Sequence, residues 1–183
     1  MLAYFDFIGM AINIAFTFYL ARMKRWAWWL GVIGVGINLG LYIRVETYAP
    51  ALLQLVYMAM FVVGWYRWNR HKDQRVKTLA VSDYPYYMLW FVAFVLASLI
   101  FGIFTQANTP LFDAFATAIA LIAIWITIPR YLENWLIWIV VDVYYVILNV
   151  VKGLPFHGFA VFIYLLVAIY GFCAWRKQYL QQV

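Results

Sequence analysis

Apolar residues run along the chain in seven blocks of about 16 to 20 residues, each closed by a short cluster of polar, basic or turn-forming residues. Blocks of that length without strict alternation predict helices close to the ~20 residues that cross a hydrocarbon core of about 30 Å. They fall at about Leu2 to Ala21, Trp26 to Ile43, Ala51 to Trp68, Tyr86 to Phe104, Asp113 to Ile128, Asn134 to Asn149 and Phe156 to Trp175. No basic region precedes the first block and no small-residue cleavage site follows it, which predicts a retained helix. Pro50 falls at the start of the third, where a missing N–H costs least. Asn69 to Asp83 is the one substantially polar stretch and predicts a loop, and Thr105 to Pro110 predicts a turn.

The sixth block, NWLIWIVVDVYYVILN, carries a carboxylate in its middle. Trp135, Trp138, Asp142, Tyr145 and Asn149 follow one another at steps of three or four and so share one helical stripe. The rest of the block is Ile, Val and Leu, so the polar and aromatic stripe is expected to face inward. Asp142 lies eight residues past Asn134, roughly 12 Å of rise and close to halfway through the bilayer core. An ionisable group at that depth costs on the order of 2.5 to 3.5 kcal/mol on insertion scales and by default marks function. Gln54, Tyr57, Phe61 and Gly64 make a comparable stripe on the third block, where the Gln54 amide can donate and accept at once.

Each of these residues also has a structural reading. Asp142 can be tied to Asn38 or Tyr145, and Gln54, Asn38 and Asn149 can hold helices together by hydrogen bonds. Trp26, Trp28, Trp29, Trp65, Trp68, Trp90, Trp135 and Trp175 fall near block ends, where an aromatic belt is expected whatever the function. Trp138 lies about one turn deeper and can offer a ring face to a cation, worth up to about 2 kcal/mol when desolvated. Asp6 and Asp113 stand at predicted helix starts, where capping and dipole roles are expected. Gly31, Gly34, Gly36 and Gly40 suit close helix contact or a hinge.

Composition turns this pattern into a class. The chain is 68% hydrophobic and only 11% charged, with a mean hydropathy of +0.86, which describes an all-α integral membrane protein and not one soluble core. Cys173 is the single cysteine, which excludes an internal disulfide, and His71 and His157 are too few for a typical zinc or di-iron cluster, so no metal or cofactor is implied. No phosphate-binding loop, H-E-x-x-H motif or histidine box is present, which argues against an enzyme. The net charge of +6 sits in short loops, where it sets topology and does not imply a nucleic-acid partner. Eleven Lys and Arg fall in alternate loops and at the end of the seventh block, against Arg44 and Lys152 in the others. That split predicts an outer N-terminus and a cytoplasmic C-terminus.

Sliding the chain along itself by 107 positions brings Phe5 and Asp6 onto Phe112 and Asp113, Trp28 onto Trp135, Tyr57 onto Tyr164, Gly64 onto Gly171, Trp68 onto Trp175 and Arg70 onto Lys177. The expected plan is therefore 3+1+3: a first three-helix repeat at 1–70, a loop and linker helix at 71–107, and a second, parallel repeat at 108–183. Parallel repeats of this kind place a site near the midplane between them.

The run YLENWLIWIVVD at Tyr131 to Asp142, together with Tyr48, Leu52, Leu53, Gln54, Gly64, Trp65, Tyr66 and Trp68, resembles the PnuC vitamin transporters. That family is related in architecture to the SWEET sugar carriers. The resemblance implies a SWEET-like fold and passive uptake of a B-vitamin through the inner membrane of a bacterium. It also implies a central site, a homotrimer, and trapping of the vitamin by a cytosolic kinase. The expected substrate contacts are Asp142, Trp138, Gln54, Tyr57, Asn38, Trp135, Tyr145, Asn149, Tyr164 and Gly34. Family members that carry nicotinamide riboside tend to have Asn where this chain has Asp142 and Gly34. Losing those amides and gaining a carboxylate suits thiamine, which has a thiazolium cation and an aminopyrimidine but no carboxamide. Nicotinamide riboside, also a cationic heteroaromatic, is the alternative substrate.

Overall fold

A computed structural model describes residues 2–70, 75–104, 110–151 and 155–182, with the side chains of 2–6, 48, 49, 110, 112, 113, 148 and 155–157 left aside. His71, Lys152 and most of the predicted Thr105 to Pro110 turn lie outside the described residues. So do the side-chain roles expected of Asp6, Asp113 and His157.

Among the described residues there are seven α-helices: α1 (Leu2–Ala21), α2 (Ala27–Arg44), α3 (Tyr48–Arg70), α4 (Tyr84–Phe104), α5 (Pro110–Thr127), α6 (Glu133–Val151) and α7 (Pro155–Leu180). Among the described residues, four stretches are long and apolar enough to cross a membrane by themselves: α2, α4 with the 3₁₀ turn before it, α6, and α7 from Gly158. Large apolar side chains cover the outside, and α4 has no buried residue at all. Such a surface suits lipid, where helices satisfy their own backbone groups. This is a multi-pass membrane protein.

Helices α3 to α7 run beyond their apolar blocks. α3 begins at Tyr48, ahead of the predicted Ala51, and Pro50 still sits in its first turn. α7 continues past Trp175 through Arg176 and Lys177 to Leu180, because hydropathy marks where lipid ends and not where hydrogen bonding ends. Neighbours in sequence pack together: α1 on α2, α2 on α3, α4 on α5, α5 on α6 and α6 on α7, with α1 also against α7 and a slighter contact of α3 with α5.

The basic end of the bundle repeats itself at the 107-residue offset. Trp28 meets Trp68 edge-on at 5.4 Å and 87°, and Trp135 meets Trp175 at the same distance and angle. The Trp68 indole N–H donates to the Ile128 carbonyl at 2.9 Å, and Trp175 donates to the Ala21 carbonyl at 3.1 Å. Both helix ends turn through a left-handed residue, Met23 (φ 57°) and Arg130 (φ 68°). Trp28, Trp68, Trp135 and Trp175 are therefore core side chains, at most 1% exposed, and not part of the aromatic belt expected of them. For Trp28 and Trp135 the cause is a glycine notch on the facing helix: a Cβ at Gly64 would lie 2.6 Å from the Trp28 ring, and one at Gly171 would lie 2.7 Å from Trp135. Trp26 and Trp29, without such a notch, stay exposed.

The polar linker is extended beneath the second half. Lys77 pairs by backbone hydrogen bonds with the residues on either side of Tyr131, its N–H donating to Arg130 O at 3.0 Å and its carbonyl accepting from Leu132 N–H at 2.8 Å. The Val76 N–H donates to Gln182 Oε1 and the Leu79 N–H to Glu133 Oε1, which ties the linker to the turn that follows α7 and to the start of α6.

Candidate substrate-binding site

A cavity of about 360 Å³ is lined by residues of α1, α2, α3, α5, α6 and α7, and α4 contributes nothing to it. Six lining positions recur at the 107-residue offset: Thr17 with Ile124, Val35 with Asp142, Asn38 with Tyr145, Gln54 with Val161, Tyr57 with Tyr164, and Phe61 with Ala168. Both halves thus present the same helix faces to one space.

Helix α6 brings Trp135, Trp138, Asp142 and Tyr145 to the cavity as one stripe, with Val141 beside Asp142 the one aliphatic residue of α6 in the lining among the described residues. Asp142 is 9% exposed and makes no hydrogen bond or ion pair among the described residues. The tie to Asn38 or Tyr145 considered from the sequence is not made. Trp138 stands one turn before Asp142 on the same face. Gln54 reaches the cavity from α3, 8% exposed, and its amide likewise has no partner among the described residues. A buried donor and acceptor pair left open in this way is set for a ligand or water.

The paired tyrosines are used differently. Tyr164 donates its hydroxyl to the Met10 carbonyl at 3.3 Å, whereas Tyr57 has no hydrogen bond among the described residues. Tyr57 instead stacks at 6.1 Å on Phe61, which lies 4.8 Å from Phe16. The first-half wall is thus an aromatic cluster. Opposite it the second half places Ala168 where Phe61 would be and Trp138 where the first half has Gly31. A Cβ on Gly31 would lie 2.7 Å from the Phe61 ring, so the aromatic ring that fills this layer comes from α3 in one half and from α6 in the other.

Eight of the ten expected contacts line the cavity: Asp142, Trp138, Gln54, Tyr57, Asn38, Trp135, Tyr145 and Tyr164. Asn149 does not. It lies seven residues past Asp142, about 10 Å of rise, and donates its amide to the Tyr145 carbonyl at 2.8 Å. Gly34 does not line the space either; it lies directly under the Asn13 amide, which does. Asn13 and Asn134 are lining residues that sequence reasoning missed. Asn13 is a single amide in the middle of the first apolar block, the one sign that could have marked it. Asn134 passed as a helix start, and its Nδ2 does donate to the Tyr131 carbonyl at 2.6 Å. Its buried Oδ1 has no partner among the described residues.

The family model described as nicotinamide mononucleotide transporter matches residues 3–177. The chain belongs to that family. Among relatives of this PnuC-type family, the nicotinamide riboside transporter PnuC of Escherichia coli (strain K12) is 21% identical over 178 residues, covering 81% of this chain and 74% of its own. The riboflavin/roseoflavin transporter RibM of Streptomyces davaonensis is 26% identical over 179 residues, covering 93% and 83%. The crystal structure of the vitamin B3 transporter PnuC shares the fold, with a TM-score of 0.79 at 20% identity over 99% of this chain and 84% of that one.

Proposed function

We propose that this protein takes up a B-vitamin across the inner membrane by facilitated diffusion, and that the vitamin is thiamine. The observation that carries the substrate is Asp142. Its carboxylate lines the cavity with no internal partner, four residues from the Trp138 ring. A thiazolium fits both, as a cation beside a carboxylate and over an indole face. The aminopyrimidine supplies a ring nitrogen and an amino group for Gln54 or Asn13, whose amides both donate and accept. Nicotinamide riboside is the second reading, favoured by the named function of the Escherichia coli relative. Riboflavin, named for the Streptomyces relative, is neutral and would leave Asp142 facing no cation.

Among the described residues that line the cavity, Asp142 is the one carboxylate. Coupled carriers usually draw on a further ionisable or ion-coordinating site, so the proposed mechanism is uniport, and a proton-coupled carrier with Asp142 as its proton site is the alternative. The two three-helix units, α1 to α3 and α5 to α7, rock about the cavity while α4 joins them in a 3+1+3 plan like that of the SWEET carriers. The N-terminus faces out and the C-terminus in, the assembly is a homotrimer, and a cytosolic kinase traps the vitamin. Titration of the purified protein with thiamine, nicotinamide riboside and riboflavin side by side tests the substrate. Tightest binding of nicotinamide riboside, or of riboflavin, would replace thiamine as the reading.

A further inference from the structure

A second cavity, of about 200 Å³, opens between α3, α4 and α5 near the basic end of the bundle. The matched position between α1 and α7 is closed. There Phe18 stacks on Tyr170 with ring centroids 5.7 Å apart and planes within 21°, and the Arg22 guanidinium lies 5.4 Å over the Phe18 ring. At the 107-residue offset these three residues correspond to Trp125, Val63 and Pro129. Val63 is too small to meet Trp125, which turns instead to Trp90 on α4 at 5.2 Å. Pro129 brings no charge. The crevice stays open, lined by Val63, Trp125, Ile128 and Pro129 with Arg67, Tyr86 and Tyr87.

Arg67 is exposed and has no hydrogen bond or ion pair among the described residues, unlike its neighbour Arg70, which donates to the Tyr66 hydroxyl at 2.6 Å. Tyr86 is 50% exposed beside it. The opening therefore offers a guanidinium and phenolic hydroxyls at one end and an apolar Val63 and Trp125 wall behind them, on the outside of a membrane protein. We infer that this crevice is a binding site for an anionic phospholipid, with the phosphate on Arg67 and Tyr86 and the start of an acyl chain against Val63 and Trp125. Basic pockets between membrane helices hold anionic headgroups in this manner. Arg is suited to phosphate because its donors form a planar fork.

The test is thermal unfolding of the purified full-length protein titrated with phosphatidylglycerol, with phosphatidylcholine and inorganic phosphate as separate arms. Phosphatidylglycerol should raise the melting temperature saturably, and the other two should not. Arg67→Gln should weaken the phosphatidylglycerol effect roughly five-fold, as expected for one arginine at a membrane surface. Val63→Tyr, which gives the crevice the residue found at position 170, should close it and abolish the effect with Arg67 intact. An equal response to phosphatidylcholine would make the surface merely apolar, and an equal response to phosphate would make it a free-anion site. Either result, or two variants that respond like the parent, overturns the inference. Vitamin binding is read separately and does not enter the outcome.

Discussion

Replacing Asp142 with asparagine keeps the shape of the side chain and removes its charge, and the structure gives the two consequences opposite signs. Asp142 has no internal hydrogen bond or ion pair among the described residues and is 9% exposed. An isolated, largely buried carboxylate costs desolvation and receives nothing back from the protein itself. Asp142→Asn should therefore leave the ligand-free protein as stable as the parent or slightly more so. Binding should go the other way. A cation about 4 Å from a carboxylate gains about 4 kcal/mol at an effective dielectric of 20, and desolvation of both charges returns part of that. A net loss of about 1.5 to 3 kcal/mol is expected for a charge-assisted contact, or roughly ten- to hundred-fold in thiamine affinity. Isothermal titration, with a melting curve of the ligand-free variant, measures both. A folded variant that binds thiamine as tightly as the parent would refute the ligand role, and a variant that melts well below the parent would make Asp142 a packing residue.

Three further outcomes follow from the same geometry. Ala168→Phe gives the second half the ring that the first half carries as Phe61, fills the cavity, and should abolish vitamin binding in a protein that remains monodisperse; retained binding would place the ligand elsewhere. Gly171→Ala and Gly64→Ala should each lower stability by about 1 to 3 kcal/mol, since each new Cβ meets an indole at 2.7 and 2.6 Å respectively. Only Gly171→Ala should also weaken binding, because Trp135 lines the cavity and Trp28 does not, and equal effects on affinity would count against that distinction. In proteoliposomes, downhill vitamin exchange should persist without a pH or sodium gradient, and accumulation of unmodified vitamin driven by either gradient would refute uniport.

The helices and the Asp142 stripe were legible in the sequence because both are periodic and local: seven apolar blocks, and five residues at steps of three or four. The limits of that legibility are equally physical. Asn149 belongs to the stripe by spacing, yet seven residues of rise carry it past the cavity to bond its own helix. Asn13 shares its stripe with Phe16, Thr17 and Leu20, which are hard to tell from ordinary packing residues along the chain, and it lies close against Gly34 on another helix. The four core tryptophans look like an interfacial belt along the chain, since the glycines that admit Trp28 and Trp135 are 36 residues away, at Gly64 and Gly171. Hydropathy cannot see a notch.

The two halves agree at the basic end and differ in the cavity. At the basic end the matched tryptophan pairs, their crossed hydrogen bonds and the left-handed turns at Met23 and Arg130 are nearly identical. Equivalent bases are what the proposed rocking of the two units would turn on. In the cavity the likeness stops: Val35 faces Asp142, Gln54 faces Val161, Gly31 answers Trp138 and Phe61 answers Ala168 at matched positions. The ring exchange keeps the filled volume about constant while moving the aromatic surface from α3 to α6. The polar exchange puts an amide in one half and a carboxylate in the other. A two-fold symmetric pocket would bind a head-to-tail ligand equally in two orientations and hold neither well. One that sets a carboxylate and an indole against an amide accepts a molecule with a cationic ring at one end and a hydrogen-bonding ring at the other in a single orientation.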